Sequence, residues 1–248
     1  MTRIFSTSLL LLTITLTCTD ARAQNYAVSS FNGELSALAT KIDGPEDFKI
    51  YAASVNGNIP LAGYLGLNLY ATRGHGKVVS VSTSLDYSYD YLRYAVSPFI
   101  RDPKLGFIGL SVAHTTFDYD GRFTKAKQKD LSLLAAGYFG PMTLSATGTR
   151  SQDPDGIGTD QNYSWIDAVW YALPDFLIDV TAGFKDAKDS YTIAFEHQPS
   201  TMLPQFSYGL GYSWNNYDSK TILLTLTYRF AEKKSLMRRY REDLFGPR

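Results

Sequence analysis

The feature that most constrains this chain is an alternation of large apolar and small polar residues that recurs along most of its length. In the stretch SKTILLTLTYRF, residues 219–230, one phase carries Ile222, Leu224, Leu226, Tyr228 and Phe230. The other phase is mainly Thr and ends in Arg229. Because successive side chains of a β-strand point to opposite faces, the two sets would lie on opposite faces of a sheet. No comparable helical spacing follows Tyr26, so the pattern predicts an all-β chain.

Turn residues divide the alternation into twelve candidate strands. These strands are 27–41, 47–57, 63–74, 83–101, 106–118, 129–139, 141–151, 163–173, 176–186, 189–198, 205–216 and 219–230. Short turns that contain proline alternate with polar connectors, most of which are longer. The short turns lie at 58–63, 101–106, 139–142, 173–176 and 197–205. This segregation of loop types is typical of an up-and-down barrel that has its short turns on one side of a membrane.

The composition of the two phases indicates which solvent the large apolar residues face. The smaller phase is Gly, Ser, Thr and Asn with scattered charges, whereas a soluble sandwich would expose more Lys and Glu there. Small polar side chains suit a narrow lumen, and open strand edges cannot exist in lipid. Residues 24–230 are therefore predicted to form one 12-stranded antiparallel transmembrane β-barrel. Ten or fourteen strands, and a soluble secreted sandwich, are the alternatives.

The N-terminus has the features of an export signal. Arg3 precedes a short apolar run, and an Ala-Arg-Ala sequence ends at Ala23. We therefore expect residues 1–23 to be a cleaved signal peptide and Gln24 to be the mature N-terminus. A lipoprotein signal at Cys18 is the alternative. Cleavage after Ala23 would leave the mature chain without cysteine, so disulfides would not stabilise it.

Three segments resemble those of small porin-like outer-membrane β-barrels of Gram-negative bacteria. They are FIRDPKLGFIGLSVAH (99–114), WIDAVWYALPDFLIDVTAGF (165–184) and the closing LTLTYRF (224–230). The first two resemble hairpins with a short periplasmic turn, and the third resembles the C-terminal signal read during barrel insertion. The resemblance implies location in the cell outer membrane among its lipids. It also implies recognition by the barrel-assembly machinery through Leu224, Leu226, Tyr228 and Phe230.

The sequence departs from that family after its closing strand. The final aromatic residue is usually the last residue of such a barrel, whereas 18 residues follow Phe230 here. Residues 231–248 hold six basic and three acidic residues and are expected to lie in the periplasm. The alternatives are an overhang without structure and a short helix on the membrane surface or against peptidoglycan. Such a helix would place four residues on one side: Leu236, Met237, Tyr240 and Leu244.

Charged residues on the polar phases are the candidate lumen-lining groups. By phase, eight of them would project inward or to a rim: Glu34, Lys49, Arg93, Asp167, Asp179, Lys185, Glu196 and Arg229. Cross-strand ion pairs that fill the lumen and a charged constriction that selects solutes are the two interpretations. Four acidic and four basic residues argue against strong selectivity for ions of one sign.

The sequence contains no motif that predicts a cofactor, a metal site or a catalytic centre. Its three histidines lie in no metal-binding motif, and the acidic stretch 153–160 lacks the full register of a calcium loop. A formal net charge of zero gives no footprint for nucleic acid. The chain is therefore predicted to be no enzyme, but a narrow, weakly selective channel or a structural membrane protein.

Two other functions remain as alternatives. The first is a lipid hydrolase at the barrel wall. His114 and Thr116 have a suitable spacing for its catalytic pair, but Thr116 stands in place of the expected Ser. The second is a surface adhesin that acts through the connectors at 117–130 and 150–162.

Overall fold

A computed structural model shows a closed barrel of twelve antiparallel strands and one short helix in the part of the chain that it describes. That part is residues 28, 31–44, 46–80, 86–120, 125–153, 160–185, 188–199, 205–216, 218–230 and 234–242. The strands are β1 (Asn32–Asp43), β2 (Glu46–Ala62), β3 (Leu65–Ser80), β4 (Asp86–Asp102), β5 (Gly106–Tyr119), β6 (Ala126–Phe139), β7 (Met142–Gln152), β8 (Gln161–Leu173), β9 (Phe176–Lys185), β10 (Lys188–His197), β11 (Phe206–Asn215) and β12 (Lys220–Arg229). The helix, α1, is Leu236–Glu242.

Each strand pairs with its neighbour in sequence, and β1 pairs with β12 to close the barrel. The prediction of a 12-stranded up-and-down barrel is therefore confirmed. The predicted signal peptide, residues 1–23, and the central part of the acidic stretch, residues 154–159, lie outside the described residues. Among the described residues, no helix is long and apolar enough to cross a membrane.

The two faces of the barrel wall have the predicted compositions. On β12, Leu224 and Leu226 point outward and are more than half exposed, whereas Thr227 and Arg229 point inward and are buried. The same division holds on β7, where the inward phase is Thr143, Ser145, Thr147, Thr149 and Ser151. A continuous apolar outer belt is unfavourable in water and favourable in lipid, so the barrel spans a membrane.

One side of the barrel is much taller than the other. Strands β2, β3 and β4 have 17, 16 and 17 residues, whereas β9 to β12 have 10 each. Because about 9–11 residues of a strand cross a membrane, the longer strands extend beyond the lipid on the side opposite the short turns, the side that is extracellular in outer-membrane barrels. We call this extracellular extension of β2 to β5 the tall wall. The outer face of β1, β2 and β3 at this end carries Lys41, Lys49 and Lys77 in adjacent register positions, all of them exposed.

The tall wall contains the main departure from the predicted strand boundaries. The third strand was predicted to end at residue 74 because the following sequence, His-Gly-Lys, reads as a polar connector. Instead, β3 continues to Ser80, and Gly74 and Gly76 face Tyr91 and Tyr89 of β4. A Cβ atom at either glycine would approach a tyrosine ring atom to 2.3 Å. The glycines therefore serve close packing inside a strand rather than a turn.

Candidate functional site in the barrel lumen

Most of the charged residues singled out in the sequence lie on the inward-facing phase. Of the eight, the structure places seven there: Glu34, Arg93, Asp167, Asp179, Lys185, Glu196 and Arg229. Lys185 is exposed at the extracellular end of β9, whereas Asp167 is buried and accepts hydrogen bonds from Ser145 (3.1 Å) and Thr181 (2.8 Å).

The placement of Lys49 in the lumen was wrong. Its side chain lies on the outward face of β2 together with Tyr51 and Val55. The error has a physical reason, because this part of β2 carries apolar residues on both phases. Ile50 and Ala52 face inward while Tyr51 faces outward, so alternation alone could not assign the faces.

A buried charge network lies at the periplasmic end of the lumen. Arg229 Nη2 donates to Glu196 Oε1 at 2.7 Å, and Arg229 Nη1 donates to Ser207 Oγ at 2.5 Å. Ser207 Oγ in turn donates to Glu196 Oε1, and Arg229 Nε lies 3.5 Å from Glu34 Oε2. Buried charges are costly unless they are paired and hydrogen-bonded. Here the pairing joins β1 and β12, the two strands that close the barrel, to β10 and β11.

Helix α1 occupies the periplasmic opening of the barrel. Leu236 is fully buried and packs against Val169, Tyr171 and Leu177, which face inward on β8 and β9. Met237 and Tyr240 pack against the same cluster. A cavity beside Tyr240 has a volume of about 20 Å³, enough for about one water molecule.

Polar contacts fix the same helix to two parts of the barrel. Tyr240 donates a hydrogen bond to Glu196 Oε2 at 2.8 Å and thus joins the buried charge network. Arg241 Nη2 donates to the carbonyl oxygens of Gly140 and Met142, both at 2.7 Å, next to the β6–β7 turn. The Arg241 guanidinium also lies 5.0 Å from the ring centroid of Tyr138, a cation–π distance.

The start of the helix is held by backbone groups and by an ion-pair cluster. Leu236 N donates to Pro174 O at 2.8 Å. Lys234 Nζ and Arg238 Nε lie 3.1 Å from the two carboxylate oxygens of Glu242. Partial burial raises the pKa of Glu242, but hydrogen bonds from Arg238 and Lys234 outweigh it and hold the pKa below the ordinary value.

Neither sequence-based alternative for residues 231–248 describes this arrangement. Residues Leu236–Glu242 form a helix, and Leu236, Met237 and Tyr240 pack against one cluster from one side of it, as expected. Their partners, however, are inward-facing barrel residues rather than membrane lipid. Leu244, the fourth residue of the predicted apolar side, lies outside the described residues.

The N-terminal side of the chain also reaches this end of the lumen. Val28 is fully buried and packs against Phe99, which faces inward on β4. Arg101, the next inward residue of β4, is buried with its guanidinium 4.8 Å from the Phe99 ring and 5.4 Å from the Phe107 ring. The β4–β5 side of the periplasmic opening is thus filled by large side chains.

The extracellular half of the lumen is lined differently. Arg93 pairs with Asp130 across β4 and β6. Arg93 also donates to Thr115 Oγ1 at 3.1 Å, and Gln128 donates to Asp130 at 2.9 Å. Above this pair the inward phases of β4 and β5 are aromatic: Tyr87, Tyr89, Tyr91, Phe117 and Tyr119.

The geometry at His114 does not match a hydrolytic pair. His114 lies on the outward phase with its ring 5.3 Å from the ring of Tyr94. The Thr116 hydroxyl donates to Leu92 O at 3.4 Å. Within the described ranges, no group of three or more His, Cys, Asp or Glu side chains is arranged to hold a metal ion.

Comparison with solved structures identifies the fold. The barrel matches an outer-membrane channel from Pseudomonas putida F1 at a TM-score of 0.62 and 12% identity, covering 86% of this chain and 100% of that one. It matches the KdgM porin in complex with disordered oligogalacturonate at a TM-score of 0.55 and 7% identity, covering 80% and 99%. The fold is that of a porin-like outer-membrane barrel.

The translocator domain of the autotransporter NalP from Neisseria meningitidis has the same fold, with a TM-score of 0.56, 7% identity and coverage of 80% and 88%. No protein family and no curated protein sequence matches the chain. The apolar outer belt and this fold together place the barrel in the outer membrane.

Proposed function

We propose that this protein is a narrow outer-membrane channel whose periplasmic opening is closed by its own C-terminal helix. The observation that carries the proposal is the burial of Leu236 among Val169, Tyr171 and Leu177 at that opening. The lumen above it is lined by small hydroxyl side chains such as Thr147, which suit passage of polar solutes. Two barrels of the same fold are an outer-membrane channel and a porin, which agrees with such a role.

The size of the helix contacts suits a closure that can be released. Burying a leucine side chain contributes about 1.5–3 kcal/mol, and a hydrogen bond to a charged partner contributes about 1.5–3 kcal/mol. Part of this sum is offset by the conformational entropy lost when the helix is ordered. Because only one helix of seven residues makes these contacts, we expect it to leave the opening without unfolding the barrel.

The paired charges favour weak rather than strong ion selectivity. Arg93 with Asp130, and Arg229 with Glu196, each bring together one charge of either sign. A lumen lined by such pairs has little net field to exclude ions of one sign. We assign no catalytic residue, and the hydrolase alternative has no support from the contacts of Thr116. The adhesin alternative depends on connectors whose tips, 121–124 and 154–159, lie outside the described residues.

Solute flux into liposomes tests this function. Full-length protein should pass a small neutral solute slowly, and a variant that lacks residues 231–248 should pass it at least tenfold faster. Heat-modifiable migration in gels would verify that both barrels are folded. Lack of flux through both proteins would contradict a channel. Equally fast flux through both would contradict closure by the helix.

A further inference from the structure

Five aromatic side chains form a continuous surface on the inner face of the tall wall. We call it the aromatic platform: Tyr87, Tyr89, Tyr91, Phe117 and Tyr119. The Tyr89 ring centroid lies 5.7 Å from that of Tyr119 and 6.1 Å from that of Phe117. The Tyr91 ring lies 6.2 Å from that of Phe117. All five side chains are only partly buried, so the platform presents aromatic surface to the space inside the barrel.

Two glycines allow the platform to lie flat against the wall. Gly76 is the register partner of Tyr89, and Gly74 is the partner of Tyr91. A Cβ atom at either position would come within 2.3 Å of the facing ring. Each ring therefore covers the backbone of β3, and part of each ring remains exposed inside the barrel.

Within the residues that the structure describes, the platform is also open toward the extracellular side. It lies near the extracellular ends of β4 and β5, whereas β10, which is opposite β4 in the strand order, has only 10 residues. The platform consequently faces the shorter side of the barrel. Solutes from outside would meet it before they reach the rest of the lumen.

A polar border adjoins the platform on its periplasmic side. Arg93 is the next inward residue after Tyr91, and it is paired with Asp130. Tyr163 of β8 interacts with the same Asp130, and its ring is stacked on that of Trp165 at 5.4 Å and 11°. Two aromatic surfaces thus lie near a pair in which the Asp130 carboxylate is buried and the Arg93 guanidinium is partly exposed as a hydrogen-bond donor.

We infer that the aromatic platform and the Arg93–Asp130 pair form a binding site for neutral saccharides. A sugar ring has a flat face of C–H groups that packs on an aromatic ring, as other apolar surfaces do. Its hydroxyl oxygens can accept hydrogen bonds from the Arg93 guanidinium, which is partly exposed while its partner Asp130 is buried. A purely apolar ligand would remove the exposed part of this guanidinium from water without offering it an acceptor. A strongly charged ligand would gain little attraction from this site, because the opposite charges of Arg93 and Asp130 cancel. Transport of the saccharide rests on the proposed channel function, but its binding does not.

Calorimetric titration of the full-length protein in detergent tests the site directly. The probes are neutral hexose oligomers with different linkages, with adenosine and an acidic uronic-acid oligomer as comparisons. We expect saturable binding of at least one neutral oligomer, and weaker or no binding of both comparisons. Tyr91→Leu should weaken this binding at least tenfold. Tyr91→Trp keeps an aromatic face and should retain most of it.

Tyr94→Leu is the matched control, because Tyr94 lies on the same strand but faces outward. It should leave saccharide binding unchanged. The inference is overturned if no neutral oligomer binds, if adenosine binds more tightly than all of them, or if Tyr94→Leu and Tyr91→Leu weaken binding equally. Because helix α1 stays in place in this experiment, a failure of binding is distinguishable from a failure of channel function in the flux assay.

Discussion

Tyr240 and Glu196 join the C-terminal helix to the seam of the barrel. The Tyr240 hydroxyl donates to Glu196 Oε2 at 2.8 Å, while Arg229 donates to Oε1 of the same carboxylate at 2.7 Å. Arg229 belongs to β12 and also faces Glu34 of β1. One carboxylate therefore couples the position of the helix to the contacts that close the barrel.

Removal of the Tyr240 hydroxyl should loosen the closure without emptying the space that its ring fills. Tyr240→Phe removes one hydrogen bond to a charged group, a loss of about 1.5–3 kcal/mol. The open fraction in single-channel recordings should rise about tenfold or more. Tyr64→Phe is the control, because Tyr64 is exposed in a periplasmic turn. Identical recordings from both variants would show that the contact between Tyr240 and Glu196 does not hold the helix.

Acidification should release the helix partly through Glu242. Its pKa lies below the ordinary value of 4.5 because Arg238 and Lys234 stabilise its charged form. A lowered carboxyl pKa stabilises the docked state above about pH 4.5, and that contribution is lost as the pH falls through the lowered pKa. Channel opening should therefore rise more steeply below pH 4.5 in the wild type than in Glu242→Gln. The variant keeps every other carboxylate, so equal pH profiles would exclude a role for Glu242.

The twelve strands were predictable because each must present one face to lipid and the other to the lumen. A period of two is imposed on nearly every strand by that requirement. The prediction of faces and strand ends failed beyond the lipid, where that requirement no longer applies. Above the lipid, β2 carries apolar residues on both phases, and β3 continues through two glycines that match facing tyrosines.

The orientation of the wall can be tested at adjacent residues of β12. Leu224 is 53% exposed on the outer face, whereas Thr225 points inward. Leu224→Arg places a charge in lipid and should lower the free energy of unfolding by about 2–4 kcal/mol near the midplane. Thr225→Arg should cost less than half of that. Urea titrations of the refolded barrels give both values, and equal losses would contradict this assignment of the inner and outer faces.

The closing strand and the helix should have separable roles in assembly. A chain that ends at Phe230 keeps every register pair between β1 and β12 and should fold and enter the outer membrane. A chain that ends at Thr227 loses the pairs of Tyr228 and Arg229 with β1, together with the proposed signal for the assembly machinery. It should fail to assemble, because an unpaired strand end is costly in lipid. Membrane fractionation distinguishes the two chains, and normal assembly of the shorter one would place the closure elsewhere.

The site was predictable only in part, because alternation assigns a face but not a partner. Glu196 and Arg229 could be assigned inward from their phases, yet their contact with each other depends on register across β10, β11 and β12. The contact of Tyr240 with Glu196 joins residues 44 positions apart in sequence. No local pattern encodes it.

Closure by helix α1 is tested most directly by one buried leucine. Leu236 is 0% exposed against the inward-facing cluster, whereas Leu105, in a periplasmic turn, is 75% exposed. Leu236→Asp would place a carboxylate in an apolar site, which is strongly unfavourable, so it should expel the helix while the barrel stays intact. Single-channel recordings in planar bilayers should show a persistently open channel for Leu236→Asp and wild-type closure for Leu105→Asp. Wild-type conductance in Leu236→Asp would contradict closure of the channel by this helix.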